Sequence, residues 1–196
     1  MKTAHSILMA AAGAASIALT AGAASAADTF TLDPAHTQTI FAVNHLGYST
    51  VTGNFHDLKG ALVLDQEHPE KSTIAVTIGT ATVDTGLAIR DDDLRSKTFF
   101  NAAQFPTMEF KSVAVKQTGD KTADVQGELT LLGVTKPVTM KVTFNRMAPD
   151  QLRKNATVAG FTATTVVKRS EFGMTAYVPY VGDDVAVTIN FEGIKQ

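Results

Sequence analysis

The feature that most constrains this chain is a two-residue alternation of apolar and polar side chains, repeated in segment after segment. Val185, Val187, Ile189 and Phe191 alternate with Ala186, Thr188, Asn190 and Glu192. Val138, Met140, Val142 and Phe144 alternate with Thr139, Lys141 and Thr143, and Val125, Gly127, Leu129 and Leu131 with Gln126, Glu128 and Thr130. Ile74, Val76 and Ile78 share a face against Thr73, Ala75 and Thr77. In Ile40 to Leu46, Phe41, Val43 and His45 face one way and are predicted to look inward, although Ile40, Ala42 and Leu46 opposite them are also apolar. Ala156 to Lys168 is a long Thr-, Ala- and Val-rich strand in which Phe161 is the one large residue. Weaker strands fit Thr29 to Leu32, Leu58 to Asp65 and Thr107 to Lys116. A period of two sends successive side chains to opposite faces, so each segment reads as a half-buried strand. Turn residues separate the strands, as in Gln66-Glu67-His68-Pro69, Thr118-Gly119-Asp120 and Gly182-Asp183-Asp184. Long, regularly spaced antiparallel strands favour a closed all-β barrel over a sandwich, because closure removes exposed edges.

Two stretches break the pattern. Leu87, Leu94 and Phe99 are not at strand spacing, and Asp91, Asp92 and Asp93 precede Arg95 and Lys97. Acid at the start and base at the end complement a helix macrodipole, which predicts one short helix near Arg90 to Thr98. At the amino terminus, Lys2 precedes an uncharged Ala-rich stretch from Ile7 to Gly22 and then Ala24-Ser25-Ala26. That order predicts a secretory signal peptide over 1–26, cut near Ala26/Ala27, ahead of a single domain over 27–196. A retained anchor is the alternative, but the stretch is short and diluted with Gly, Ser and Thr for a spanning helix. With no cysteine, an exported chain of this kind is expected in the periplasm, and disulfides, thiolate zinc sites and Cys nucleophiles are excluded. Seventeen Lys and Arg against nineteen Asp and Glu leave no basic excess for a nucleic acid partner.

Catalytic signatures are missing. His36, His45, His56 and His68 show no H-x-H or H-E-x-x-H spacing, and they read as surface or barrel-rim residues rather than metal ligands. Asp91-Asp92-Asp93 lacks the alternating oxygens and glycine of a calcium loop. No G-x-S-x-G, Walker A or G-x-G-x-x-G is present. What remains is a barrel whose interior is either filled by side chains or holds one small ligand.

Several strings, read in order, carry a resemblance. They are Asp33-Pro34-Ala35-His36-Thr37, His45-Leu46-Gly47-Tyr48-Ser49, Val51-Thr52-Gly53-Asn54-Phe55, Val83-Asp84-Thr85, Arg90-Asp91 with Leu94-Arg95-Ser96, Phe105-Pro106, Leu129 to Val138, and Arg169 with Phe172-Gly173. Together they resemble the YceI-like family of periplasmic polyisoprenoid-binding proteins over essentially the whole chain after residue 26. The resemblance implies an eight-stranded antiparallel lipocalin-like barrel with one main short helix, a long-chain isoprenoid or quinone-like lipid as ligand, no other cofactor, and no enzymatic activity. One position departs from the family: relatives usually read R-D-x-H-L on the helix, and here the His position is Asp93. If that position meets the ligand, an anionic pyrophosphate head is less favoured than a neutral one; if it faces solvent, either residue is tolerated.

The ligand-binding residues expected from this reading are Phe41, Val43, His45, Tyr48, Phe55, Arg90, Asp93, Leu94, Phe99 and Phe161. Tyr48, Tyr177 and Tyr180 each offer an apolar ring with a polar tip, suited to a mouth where a chain enters. For Tyr177 simple packing is the expectation, and Gly53 and Gly133 read as bulge or turn positions. Arg90 either serves a head group or pairs with a neighbouring carboxylate, and Arg169 reads as structural. The expected partner is a long-chain lipid, no membrane-spanning segment is expected after residue 26, and a homodimer is compatible. A filled barrel acting through its surface, or an enzyme using His36, His45 and Arg90, are the competing readings.

Overall fold

The computed structural model describes residues 27–196; the expected signal peptide over 1–26 lies outside the described residues. Ten strands form one antiparallel sheet: β1 (Asp28–Leu32), β2 (Gln38–His45), β3 (Ser49–Phe55), β4 (Leu58–Leu64), β5 (Thr73–Gly79), β6 (Thr107–Gly119), β7 (Thr122–Leu131), β8 (Val134–Asp150), β9 (Ala156–Lys168) and β10 (Val181–Lys195). The ring runs β1-β4-β5-β6-β7-β8-β9-β10 and returns to β1, which closes an eight-stranded barrel. β2 and β3 extend one side of it. β10 pairs with β1 through Gly193 to Lys195 and with β2 through Val181 to Asn190. β1 and β2 are therefore two stretches of one bent edge along β10, parted at Asp33 to Thr37. Their partners β4 and β3 are likewise parted only at His56-Asp57.

Two corrections to the sequence reading follow. Ser49–Phe55 is a strand that the alternation did not reveal, because its inward row is Val51, Gly53 and Phe55, with glycine in the middle. Gly53 is not a bulge or turn. It sits in register opposite Phe41, and a Cβ there would run into the Phe41 ring and Thr85. Gly133, by contrast, holds φ +74° beside Leu132 at +53° in the two-residue turn between β7 and β8, the left-handed pair that such hairpins require. The second correction is the helix, α1 (Ala88–Arg95), which starts and ends earlier than expected. It stops because Ser96 is extended (ψ 171°). Asp91 is buried and accepts from Thr85 N at 2.8 Å and Thr85 Oγ1 at 2.5 Å, which fastens the preceding turn to the helix.

The apolar side chains are distributed along the barrel wall. At the α1 end, Phe55, Leu58, Ile78, Val83, Met108, Leu131, Val167 and Phe172 pack together, with Leu94 and Phe100 against them. At the other end, Phe30, Leu32, Leu62, Ala159, Phe161 and Phe191 form a second group, and Phe161 stacks on Phe191 with centroids 5.0 Å apart. Phe110, Val125, Met140 and Ala163 line the wall between them. No described helix is long and apolar enough to cross a membrane.

Candidate functional site

The inward rows do not fill the barrel. They enclose a cavity of about 640 Å³ whose wall is almost entirely apolar. Val185, Val187, Ile189 and Phe191 line it from β10, Met140, Val142 and Phe144 from β8, Phe161, Ala163, Thr165 and Val167 from β9, and Ile74, Val76 and Ile78 from β5. Each set belongs to the alternation that defined its strand. Lining residues on β10 run from Val181 to Phe191. Ten steps of about 3.4 Å, at a strand tilt near 40°, give roughly 26 Å along the barrel axis. The cavity is thus a tunnel that runs along the barrel from the α1 end towards the opposite one.

Two glycines shape the wall. Phe41 and Phe110 both line the tunnel. Phe41 lies over Gly53 and Phe110 over Gly127, each ring in the space a Cβ would take. Polar groups appear at the two ends. His45, Arg90, Asp93 and Tyr177 line the α1 end, and Gln66, Gln117, Asp120 and Lys121 the opposite one.

Nine of the ten sequence-expected ligand residues line this tunnel: Phe41, Val43, His45, Phe55, Arg90, Asp93, Leu94, Phe99 and Phe161. Tyr48 does not. It is 88% exposed on the β2–β3 turn, outside the tunnel wall. Tyr177, expected to be packing, instead lines the mouth at φ +58°, its ring 6.1 Å from that of Phe99. Sequence reasoning could not place Tyr177 because it lies in an irregular segment with no period to assign a face.

Among the described residues Arg90 makes no ion pair. Its Nε donates to Thr85 Oγ1 at 2.7 Å and one Nη to the Thr85 carbonyl at 2.9 Å, and Thr85 Oγ1 in turn donates to Asp91. The guanidinium is held by the helix turn while it lines the mouth. Arg169 is structural: it is buried and donates to the carbonyls of Gly182, Met174 and Val181 at 2.8, 2.9 and 2.9 Å. Burial pushes its pKa down, opposed by the charge of Asp183.

The histidines do not converge. His45 faces Val181 at one end of β10, whereas His36 bonds Asp33 at 2.6 Å beside Glu192 near the other. Eleven residues of strand, roughly 35 Å, separate the two positions. An acid–base set of His36, His45 and Arg90 therefore has no common centre. Asp33, His36 and Glu192 do come within metal-ligand spacing of one another. Arg153 already occupies their midst, 2.5 Å from Asp33 Oδ2, 2.6 Å from His36 Nδ1 and 3.2 Å from Glu192 Oε2. A cation entering there would meet a guanidinium. Burial raises the Asp33 pKa, but hydrogen bonds from His36 and Ala35 N and the charge of Arg153 outweigh it, and the carboxyl is held below its ordinary value.

The sequence matches the YceI-like domain over residues 30–193. A UPF0312 protein of Pseudomonas savastanoi pv. phaseolicola is 41% identical over 180 residues, covering 91% of this chain and 92% of that one. Among solved structures, the Campylobacter jejuni YCEI protein is 27% identical with a TM-score of 0.69, over 78% of this chain and 90% of that one. A polyisoprenoid-binding domain from Saccharophagus degradans is 15% identical with a TM-score of 0.63, over 85% and 98%; at that identity it is a likeness of fold. The family strings, the closed barrel and the extent of these matches agree, and the chain belongs to the YceI-like domain family.

Proposed function

We propose that this protein is a periplasmic carrier that holds a long-chain isoprenoid, or a lipid of similar shape, inside its barrel and does not transform it. The observation that carries the reading is the tunnel itself, about 640 Å³ and apolar between its two polar ends. Its volume lies within the roughly 300–1,000 Å³ common for small-molecule sites, but its shape suits an extended chain. Burying a lipid chain stabilises by about 0.8 kcal/mol per CH₂, so ten buried carbons contribute about 8 kcal/mol before association costs. The wide separation of His36 from His45 supports a binding role over an acid–base enzyme, and the hollow interior supports it over a filled barrel. Export rests on the pattern of Lys2, the Ala-rich stretch and Ala24-Ser25-Ala26.

Protein purified without detergent is expected to release a long-chain lipid into organic solvent, seen by mass spectrometry at near one per chain. Protein that yields no lipid and takes up no added prenol would defeat the carrier reading. An intact mass beginning at Ala27 checks export, and a mass retaining Met1 to Ala26 would count against it.

A further inference from the structure

Most of the large apolar side chains left in solvent sit at one end of the barrel. Leu46 (47% exposed), Tyr48 (88%), Leu87 (49%), Ile89 (76%), Tyr177 (61%) and Tyr180 (71%) belong to the β2–β3 turn, the start of α1 and the segment entering β10. These elements meet. Leu46 N donates to Tyr180 O at 2.9 Å, Val181 N donates to Tyr177 O at 2.8 Å, and the Tyr177 ring lies tilted against that of Phe99. The rim they form is continuous with the tunnel, because Tyr177, Phe99, His45 and Arg90 are both rim and tunnel wall.

We infer that this rim docks on the surface of a lipid bilayer, so that the α1 mouth opens into the membrane and a lipid passes along apolar surface without crossing water. The inference rests on the carrier reading for its purpose, though not for its test. Three observations favour a bilayer over a protein partner. The rim borders the mouth of the tunnel, because Tyr177 belongs to both, so a flat protein face seated on it would cover that mouth. Three of its six side chains are tyrosines, whose apolar ring and polar tip suit the headgroup level of a membrane. The helix and the residues just after it are electrically balanced: Asp91, Asp92 and Asp93 offset Arg90, Arg95 and Lys97, with Arg95 paired to Asp92 at 2.7 Å. A balanced rim fits a zwitterionic surface and gains nothing from an anionic one.

The test uses Ile89→Ser combined with Tyr180→Ser, since both side chains lie outside the tunnel wall. Leu152→Ser is the control: Leu152 is 96% exposed in the turn between β8 and β9, at the opposite end. Flotation with phosphatidylcholine vesicles is expected to recover the parent and the control, and to recover at least tenfold less of the double variant. Adding anionic lipid is expected to leave the parent's recovery unchanged. Extraction of a long-chain prenol from the same vesicles should slow in parallel, while uptake of farnesol from solution stays equal in all three proteins. Equal flotation of all three proteins, or none for the parent, would overturn the docking face. So would a parent that sediments as a dimer and becomes monomeric in the double variant, which would assign the rim to a second copy. A parent that floats yet takes up no farnesol would remove the carrier reading and leave the docking face standing.

Discussion

Gly53 and Phe41 show how single residues set the bore of this barrel. In most strands a large inward residue faces another side chain, and the interior fills. Here the ring of Phe41 lies over a residue with no Cβ, and Phe110 does the same over Gly127, so each ring is accommodated against the wall. The bore is then sensitive to added volume. Val43, one alternation step from Phe41, lines the tunnel and is half-exposed to it. Val43→Trp is expected to fold, because it grows into empty space, and to lose at least tenfold in affinity for a long-chain prenol in a fluorescence titration. A folded variant that binds as well as the parent would show that this face does not meet the ligand. Arg169 acts through the backbone instead. Replacing it with Met leaves the carbonyls of Gly182, Met174 and Val181 without their donor. At about 1–3 kcal/mol for a buried group left unsatisfied, a loss of about 3 kcal/mol is expected. For a chain of this size that corresponds to a fall of roughly 6–12 °C in melting temperature, read by circular dichroism. The secondary change in binding should follow the fold and vanish at temperatures where the variant is fully folded.

At the scale of elements, the corner between β1 and β2 is braced by a cluster of charged groups. Asp33 accepts from Ala35 N at 3.1 Å and pairs with both His36 and Arg153, and Arg153 also reaches Glu192 and, at 3.4 Å, Asp150. The cluster ties the corner to the β8–β9 turn and to β10, so three elements far apart in sequence close one end of the barrel. Because Asp33 has a lowered pKa in the folded protein, its stabilising contribution is complete above the unfolded carboxyl value of about 3.9. It is lost as pH falls through the folded value. Asp33→Asn is expected to lower stability at pH 7 and to flatten the acid limb below about pH 4, measured as urea midpoints at pH 7, 4 and 3. Parallel acid limbs in parent and variant would mean that Asp33 does not contribute through its charge. The alternation made most of the strands legible because their inward rows carry Val, Ile, Leu, Met or Phe. It failed at Ser49–Phe55, where glycine replaces the middle member of the row. The helix was legible from its charges and lost period, but its bounds were set by Asp91 reaching back to Thr85 and by the extended Ser96, contacts that charge order does not encode.

For the whole molecule, the two tunnel ends differ in their exposed apolar rim, so a ligand should enter with one orientation. At the α1 mouth Asp93 is exposed and Arg90 is held by Thr85, and the helix carries three aspartates against two arginines. A prenol or quinone is therefore expected to bind at least as tightly as the corresponding pyrophosphate, in titrations at 20 and 300 mM salt. Clearly tighter binding of the pyrophosphate that weakens as salt rises would show that Arg90 dominates the mouth, since charges there are screened within about 8 Å at physiological salt. The all-β class, the antiparallel barrel and the faces of most strands were determined by the sequence alone, because a period of two is local: it survives in any register and needs no knowledge of neighbours. Nine of the ten ligand residues expected from pattern and resemblance do line the tunnel: Phe41, Val43, His45, Phe55 and Phe161 because they sit on inward strand rows, and Arg90, Asp93, Leu94 and Phe99 because α1 and the segment after it pack over the mouth. Only the tertiary structure decided whether that interior was hollow or filled, that Tyr48 stands outside it, and that Tyr177 guards its mouth. Those outcomes depend on which rows face one another across the bore, such as Phe41 over Gly53, and on where an irregular segment packs. Both are set by long-range register and closure, which no local alternation contains.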